Sequence, residues 1–223
     1  MSAARNAPAE PGASSYVSRG GLKLEHALDT FGIDPAGRRA LDAGASTGGF
    51  TDCLLRRGAA RVIAVDVAYG ELAWTLRNDE RVHVVERTNV RTLDLVAMGE
   101  PPVEIIVADL AFISLTAVRD ALLAAATSDA DLILLVKPQF EAPRGAVERG
   151  GVVRDAAVWE ASMRSVVAAY AEAGCTLTNA TPSPLTGPAG NREFFLHLRR
   201  GAGAGEPASH DGDPISRAVG DAP

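Results

Sequence analysis

Short apolar runs rich in β-branched residues alternate with longer segments of helical period along most of this chain, and that alternation constrains its fold more than any other feature. Each run is almost continuously apolar, as strands buried on both faces of a parallel sheet must be. We therefore predict an α/β fold, a doubly wound and mostly parallel sheet wrapped by helices. The predicted strands lie at residues 39–42, 61–67, 82–86, 104–109 and 131–137.

The rest of the pattern supplies helices and a closing hairpin. Segments of helical period lie at residues 22–31, 50–57, 71–78, 115–126 and 156–173. Two further strands, at residues 175–183 and 193–199, are joined by a loop rich in proline and glycine, which predicts an antiparallel C-terminal hairpin. The hairpin completes a predicted sheet of seven strands.

Both ends of the chain differ in composition from the region between them. Residues 1–15 and 201–223 are rich in alanine, glycine, proline and serine, and they lack the apolar side chains that would offset the entropy lost on ordering. We therefore expect a disordered N-terminal tail and a disordered C-terminal tail around one domain, residues 16–200. A length of 223 residues with 47% hydrophobic side chains is sufficient to give that domain a buried core.

Charge and cysteine content narrow the classes of function. The chain has 28 acidic and 22 basic residues, a net charge of −6, which argues against binding nucleic acid through bulk positive charge. Any nucleic-acid contact must then be a local patch. Cys53 and Cys175 lie far apart without metal-ligand spacing, so we expect two buried thiols and no metal site. The sequence shows neither a signal core nor an apolar run long enough to span a bilayer, and we expect a cytoplasmic protein with no membrane partner.

A turn of small residues, Asp42-Ala-Gly-Ala-Ser-Thr-Gly-Gly-Phe50, follows the first predicted strand and leads into a helix. In a doubly wound fold this turn lies at the carboxyl ends of the strands, where glycines let a ligand approach backbone N–H groups. Its spacing matches neither the dinucleotide fingerprint nor a P-loop, and the Asp42 carboxylate suits a cationic amino-acid group. Asp66, in the next strand, is placed to bind ribose hydroxyls. S-adenosylmethionine fits these features better than NAD or ATP, with a purely structural turn as the alternative.

The expected cofactor contacts come from this turn and from three later strand ends. Asn89 follows the third strand, where such folds touch adenine, and a turn residue that bonds its own backbone is an equal alternative for it. Asp109 ends the fourth strand in the same crevice. The full set of expected contacts is Asp42, Gly44, Ala45, Ser46, Thr47, Gly48, Gly49, Phe50, Asp66, Asn89 and Asp109.

Lysine is almost absent from this arginine-rich chain. Lys23 and Lys137 are the only lysines among 22 lysines and arginines, and an ammonium, unlike a guanidinium, has a pKa that can be tuned. Lys137 and Asp109 end predicted strands, so both side chains point into the crevice. Lys23, in the first helix, and Glu193, at the start of the last strand, can converge with them, each altering its neighbours' pKa. The alternative is two ordinary ion pairs, Lys23 with Glu193 and Lys137 with Asp109.

Five motifs carry these residues: Tyr-Val-Ser-Arg-Gly-Gly-x-Lys-Leu at 16–24, Leu-Asp-Ala-Gly-Ala-Ser-Thr-Gly-Gly-Phe-Thr-Asp at 41–52, Ala-Asp-Leu-x-Phe-Ile-Ser-Leu at 108–115, Leu-Val-Lys-Pro-Gln-Phe-Glu at 135–141 and Gly-Asn-x-Glu-Phe-Phe-Leu at 190–196. Together they resemble the TlyA, or hemolysin-A-like, ribosomal RNA methyltransferases, which belong to a wider FtsJ-like group. The resemblance covers residues 16–199 and implies a Rossmann-like class I methyltransferase that uses S-adenosylmethionine. It also implies that the Lys-Asp-Lys-Glu tetrad of ribose 2′-O-methylation falls on Lys23, Asp109, Lys137 and Glu193.

The chemistry of that reaction suits these side chains. A ribose 2′-hydroxyl is a poor nucleophile at neutral pH, so methyl transfer needs in-line positioning and removal or steering of the hydroxyl proton. Our hypothesis is that Lys137 removes or steers this proton and that Asp109 and Glu193 orient the Lys137 side chain. Lys23 then positions the substrate or stabilises developing oxyanion character.

Substrate recognition is where this chain departs from the family's pattern. Members that modify ribosomal RNA usually carry an RNA-binding domain of about 60 residues before the Tyr-Val-Ser-Arg-Gly motif, whereas fifteen residues precede Tyr16 here. We therefore expect a catalytic domain without that anchor, which docks on ribosomal RNA or a ribosomal subunit through a local basic patch, with a helper subunit as a candidate partner. The residues expected to form the patch are Arg19, Lys23, Arg144, Arg149 and Arg154.

Competing interpretations of the function remain open on the sequence. The acidic charge favours O-methylation of a small hydroxylated or nucleoside-like metabolite by the same tetrad. A pore-forming hemolysin, as the family's older name implies, is disfavoured because the sequence has neither a membrane-spanning run nor a basic amphipathic helix. Trp74 and Trp159, candidate platforms for base stacking, lie among alanines in helical segments, where core packing is the stronger interpretation.

Overall fold

Strands and helices alternate along the chain in the order that the apolar runs predict. The structure is a computed structural model and describes residues 16–148, 150–201 and 212–222. The helices are α1 (Gly20–Phe31), α2 (Gly49–Arg56), α3 (Trp74–Arg77), α4 (Leu115–Ala125), α5 (Pro138–Glu141), α6 (Ala156–Ala171) and α7 (Pro214–Gly220). The strands are β1 (Arg39–Ala43), β2 (Arg61–Val65), β3 (Val82–Val85), β4 (Val103–Ala108), β5 (Ala126–Val136), β6 (Cys175–Pro182) and β7 (Phe194–Arg200).

The seven strands form one sheet in the order β3-β2-β1-β4-β5-β7-β6. The pairings from β3 through β5 are parallel, whereas β7 lies antiparallel between β5 and β6. The strand order reverses between β1 and β4, which leaves a crevice at their carboxyl ends. The doubly wound sheet and its antiparallel C-terminal hairpin are therefore confirmed.

Helices cover both faces of the sheet and divide the core in two. Successive residues of a strand point to opposite faces, so Ile106 and Leu132 pack with α4, α6 and α7, while Ile105 and Ile133 pack with α1 and α2. All four side chains are fully buried. Burial on both faces explains why these strands read as continuous apolar runs in the sequence.

The third helix is shorter than predicted, and this changes the position of Trp74. Gly70 has a φ of +77° and Ala73 is extended, so the helical turn begins only at Trp74. Leu72 and Leu76 fill the core from this segment, and Trp74 is 76% exposed. Core packing of Trp74 was the wrong expectation, because a one-turn helix buries a single face. For Trp159 it is confirmed: the ring lies 5.8 Å from that of Phe194.

The fifth strand begins earlier than predicted. Ala126 pairs with Val103 beyond a register shift, so β5 starts where α4 ends and not at Asp131. Ser128 and Asp129 in this extension are exposed and polar. An exposed polar segment carries no apolar run, which is why the sequence pattern missed it.

The expected C-terminal disorder is wrong for residues 214–220, which form α7. The carboxylate of Asp213 accepts from the N–H of Ser216 at 3.3 Å, and Pro214 occupies the first helical position. Ile215 and Ala218, three residues apart, are buried against the core. The prediction missed this short amphipathic helix because the residues around it are rich in alanine, glycine, proline and serine. Residues 1–15, 202–211 and 223 lie outside the described residues, so disorder there stays a prediction.

Both thiols are buried, as expected, with Cys53 0% and Cys175 5% exposed. Among the described residues, no group of three or more histidine, cysteine, aspartate or glutamate side chains is arranged to hold a metal ion. In the same part of the chain, every helix is too short or too polar to cross a membrane.

The amino ends of the strands carry a carboxylate with several basic partners. Glu100 accepts from Arg39 at 2.5 Å and Arg61 at 2.9 Å, and it lies 2.7 Å from Nδ1 of His83. Burial alone would raise the pKa of Glu100, but the hydrogen bonds from these three side chains lower it to about 2. The bonds hold together the starts of β1, β2 and β3.

Candidate active site

The carboxyl ends of β1 and β4 meet where the strand order reverses, and a cavity of about 290 Å³ opens there. In open α/β sheets this switch point is where ligands bind. The four residues predicted for catalysis line the cavity from four segments, namely Lys23 of α1, Asp109 after β4, Lys137 after β5 and Glu193 before β7. The other lining residues are Ser18, Arg19, Gly20, Gly44, Ala45, Ser46, Thr47, Gly49, Phe50 and Pro188.

Lys23 and Glu193 form a deeply buried ion pair in this cavity. Nζ of Lys23 donates to Oε2 of Glu193 at 2.5 Å, and the two residues are 8% and 3% exposed. Gly187 packs against the same carboxylate, since a Cβ at that position would lie 2.7 Å from Oε1 of Glu193. Removing either charge would leave the other buried without its partner, which is strongly destabilising.

Lys137 and Asp109 form a second ion pair, with Nζ 2.5 Å from Oδ1. β4 and β5 are neighbouring parallel strands, so their carboxyl ends bring both side chains to one place. The two ion pairs considered as an alternative to a catalytic set are thus both present. Because they line one cavity, ion pairing is compatible with a catalytic role, and that role stays a prediction.

The small-residue turn is shaped by two glycines in a left-handed conformation that other residues rarely adopt. Gly44 has a φ of +88°, and a Cβ there would lie 2.4 Å from the carbonyl oxygen of Asp109. Gly48 has a φ of +100°, and its Cβ would lie 2.3 Å from the side chain of Leu76. The turn therefore fits tightly against its neighbours and leads directly into α2, whose first residues line the cavity.

Asp42, the first residue of this turn, does not line the cavity. It is 0% exposed, its Oδ2 accepts from the hydroxyl of Thr51 at 2.7 Å, and its buried Oδ1 has no hydrogen-bond partner among the described residues. Burial raises the pKa of Asp42 to about 7, and the nearby charges of Asp109 and Asp66 act in the same direction. The site thus contains a carboxyl group whose hydrogen-bonding capacity is only half used.

Asp66 and Asn89 line a second cavity, of about 580 Å³, which shares Gly44, Ser46 and Asp109 with the first. The carboxylate of Asp66 accepts from the N–H of Ser46 at 2.7 Å and of Ala68 at 2.8 Å. Asn89 accepts from the N–H of Arg91 at 3.0 Å, which is the turn role considered as its alternative. Of the predicted cofactor contacts, Asp42 and Gly48 line neither cavity.

Several lining residues are absent from the predicted contacts. Ser18 and residues 110–113 lie inside the quoted motifs, beside predicted residues, so the signal for them was present in the sequence. Glu71 accepts from the hydroxyl of Ser46 at 3.2 Å and lines the second cavity. No sequence pattern marks Glu71, whose position follows from how the chain returns after β2.

Two residues of the predicted basic patch, Arg19 and Lys23, lie at this site. Arg19 is exposed and lines the first cavity with Lys23. Arg154 is exposed and pairs with Glu148, and it lines neither cavity. Arg144 begins a short 3-10 turn, and Arg149 lies outside the described residues.

Comparison with known proteins agrees with this geometry. Residues 16–200 match the FtsJ-like methyltransferase family. The chain is 51% identical over 209 residues to the 16S/23S rRNA (cytidine-2′-O)-methyltransferase TlyA of Mycobacterium tuberculosis, covering 94% of this chain and 78% of that protein. It is 36% identical over 184 residues to the 23S rRNA (cytidine-2′-O)-methyltransferase TlyA of Campylobacter jejuni, covering 82% and 70%.

A solved structure from Streptococcus thermophilus, described as a hemolysin, superposes with a TM-score of 0.87 at 37% identity, covering 95% of this chain and 75% of that one. The sheet order, the small-residue turn at the switch point and the extent of these matches agree with one another. The chain belongs to the FtsJ-like methyltransferase family.

Proposed function

We propose that this protein is an S-adenosylmethionine-dependent 2′-O-methyltransferase that acts on ribose hydroxyls of ribosomal RNA. The observation that carries the proposal is the convergence of Lys23, Asp109, Lys137 and Glu193 on one cavity beside the glycine turn. The Mycobacterium tuberculosis relative is named for 2′-O-methylation of cytidine in ribosomal RNA, and this chain is 51% identical to it.

The residues around the two cavities fit S-adenosylmethionine. Gly44 lines both cavities with backbone alone, and Asp42, which begins the turn, has a buried oxygen without a hydrogen-bond partner among the described residues. Asp66 would hold the ribose hydroxyls, and the positive end of α2 suits a carboxylate. When bound, the cofactor supplies a methyl group on a positively charged sulfur.

The four polar side chains have separate roles in the proposed reaction. Nζ of Lys137 lies 2.5 Å from Oδ1 of Asp109, so we propose that this pair acts as a unit in removing the hydroxyl proton. Glu193 holds Lys23 in the cavity wall. From there the Lys23 ammonium donates to the oxygen on which negative charge develops.

An RNA substrate requires positive charge at the mouth of the cavity. Arg19 is exposed at that mouth, next to Lys23, and suits contact with a phosphate. The net charge of −6 favours such a local contact over a broad basic surface. The substrate is thus expected to be recognised by a small charged patch together with its shape.

Methyl-labelled S-adenosylmethionine tests the proposal directly. We would incubate the protein separately with intact ribosomes, ribosomal subunits, naked ribosomal RNA and a small-metabolite extract, and count the label in each. Label in ribosomal RNA that survives alkaline hydrolysis as a resistant dinucleotide identifies a 2′-O-methyl group, because the blocked hydroxyl cannot attack its phosphate. Label confined to small molecules would instead establish the metabolite alternative, and no label in any fraction would refute methyl transfer to these substrates.

A further inference from the structure

Glu141 joins the two segments that carry Asp109 and Lys137, although the proposed reaction gives it no part. It ends α5, four residues after Lys137. Its Oε1 accepts from the backbone N–H of Leu115 at 2.8 Å, and its Oε2 accepts from the hydroxyl of Ser114 at 2.5 Å. Both donors lie at the start of α4, in the segment that follows Asp109.

The short helix α5 couples Glu141 rigidly to Lys137. The N–H of Phe140 donates to the carbonyl of Lys137 at 2.8 Å, and the N–H of Ala142 donates to the carbonyl of Pro138 at 2.8 Å. Pro138 is buried and fixes its own φ at the first helical position. A displacement of Glu141 is therefore transmitted to Lys137.

The acceptor side of this connection is also fixed. Ser114 caps α4, since its hydroxyl oxygen accepts from the N–H of Thr116 at 3.1 Å. The hydroxyl of Tyr170 donates to the carbonyl of Leu115 at 3.1 Å, which ties the same turn to α6. Glu141 thus anchors α5 to a turn that is held from two other directions.

The segment between Asp109 and Ser114 needs such support. Phe112 in this segment has a φ of +65° and is 91% exposed. A non-glycine residue keeps this conformation only where surrounding contacts impose it. Phe140 supplies one contact, with ring centroids 5.2 Å apart, and Glu141 supplies the hydrogen bonds beside it.

We propose that Glu141 is a positioning residue that holds Lys137 against Asp109 by fixing α5 to the start of α4. The inference rests on the proposed function, because it assigns Glu141 to the geometry of the same site. Its effect on catalysis is geometric: displacement of a reacting group by about 1 Å can cost roughly 100-fold in rate. The negative charge of Glu141 is not required for this role.

The Glu141→Gln variant removes the negative charge of residue 141 but keeps hydrogen bonds between the two segments. Burial raises the pKa of the Glu141 carboxyl, and the bonds from Ser114 and Leu115 oppose that change. In Glu141→Gln the amide oxygen still accepts from Leu115, and the amide nitrogen donates to Ser114. The Ser114 hydroxyl can then turn toward Oγ1 of Thr116, which lies 2.7 Å away. Two bonds between the segments survive without the charge.

The test compares Glu141→Ala, Glu141→Gln and Glu172→Ala in the methyl-transfer reaction, together with the dissociation constant for S-adenosylmethionine and the melting temperature. Glu172 is a matched control, since its side chain is 77% exposed at the end of α6. Glu141→Ala should lower kcat by about 10- to 100-fold with an unchanged dissociation constant. Glu141→Gln should recover most of that loss, and Glu172→Ala should resemble the wild type.

Two results would overturn the inference: a lower melting temperature of Glu141→Ala with unchanged kcat, or a Glu141→Gln variant as impaired as Glu141→Ala. Should Glu141→Ala fail to fold, Ser114→Ala removes one of the two bonds and should show a smaller loss of kcat. Unchanged kcat in a folded Ser114→Ala would count against the inference in the same way.

Acylation of Lys137 tests the geometry separately from the proposed function. With only two lysines in the chain, mass spectrometry resolves the labelling rate of each. Release from Asp109 should make Lys137 several-fold more reactive in Glu141→Ala, with Lys23 unchanged as an internal reference. Equal rates in wild type and variant would refute the positioning role, even for a protein that transfers no methyl group.

Discussion

Buried carboxylates near the two ends of the sheet differ in their hydrogen-bond partners. At the amino end, Glu100 accepts from three basic side chains, and Asp131 is bonded to Arg38 and His197. At the carboxyl end, Asp42 is fully buried with one oxygen that has no hydrogen-bond partner among the described residues. Glu193 and Asp109, also at the carboxyl end, are paired with lysines, so the difference lies in Asp42 alone.

The pKa values follow this difference. Hydrogen bonds from basic side chains hold the pKa of Glu100 at about 2, whereas burial raises that of Asp42 to about 7. A buried polar group without a partner lowers the free energy of unfolding unless a ligand satisfies it. The bonds of Glu100 therefore stabilise the fold, whereas the oxygen of Asp42 without a partner among the described residues lowers the free energy of unfolding.

Lys137→Ala should have the largest effect and should separate activity from stability. Without the ammonium, the group assigned to the hydroxyl proton is missing, so we expect kcat to fall by roughly 100- to 10,000-fold. The dissociation constant for S-adenosylmethionine should hardly change. Lys137→Arg is the matched control that keeps the charge opposite Asp109 but cannot lose its proton, and it should be equally inactive. Full activity in either variant would remove Lys137 from the mechanism.

Glu100→Gln should lower the free energy of unfolding by about 2 to 4 kcal/mol at pH 7 while leaving kcat of the folded protein unchanged. The folded pKa of about 2 lies below the reference value of 4.5, so the stabilisation is present above pH 4.5 and is lost as the pH falls toward 2. Denaturant titrations of wild type and variant should therefore converge at acidic pH. A constant difference across that range would disprove the role of ionised Glu100.

Asp42→Asn, at the carboxyl end of the sheet, should raise the free energy of unfolding, whereas Glu100→Gln lowers it. The folded pKa of about 7 lies above the reference value of 3.8, so the folded state holds more protons between these values and wild-type stability falls as the pH rises through them. The variant lacks this titration and should be more stable above pH 7, by about 2 kcal/mol. Urea unfolding at pH 4 and pH 8 measures the difference. If the difference between variant and wild type were the same at both pH values, Asp42 would ionise with its ordinary pKa.

Asp66→Ala should give the smallest effect, about a tenfold weaker binding of S-adenosylmethionine, as expected for the loss of hydrogen bonds to ribose. Isothermal titration calorimetry with the whole cofactor and with methionine alone isolates the contribution of the ribose hydrogen bonds to the affinity. Methionine lacks the ribose, so its affinity should not change. If the dissociation constant of the whole cofactor were also unchanged, the ribose assignment would fail.

Strand alternation made the parallel sheet and the meeting of Lys137 with Asp109 predictable, because the carboxyl ends of parallel strands lie at one edge. The convergence of Lys23 and Glu193 was also accessible, since both residues lie in distinctive motifs. Their catalytic roles remain predictions.

Features that depend on tertiary distance were not accessible from the sequence. The exposure of Trp74 depends on where a one-turn helix begins, and the burial of Asp42 depends on how the turn folds over it. The bonds from Glu141 to the start of α4 span 26 and 27 residues and have no local sequence signature. Helix α7 escaped notice because its two buried residues lie in a segment of tail-like composition.

The placement of β7 has a consequence for the order of events during synthesis. Glu193 immediately precedes this strand and is separated from Lys23 by 170 residues. The ribosome must therefore translate almost the entire domain before Lys23 can meet its partner, and β7 must still insert between β5 and β6. Until that insertion, a nascent chain has the glycine turn but not the complete set of polar groups. Completion of the last strand thus brings the four side chains of the proposed site together.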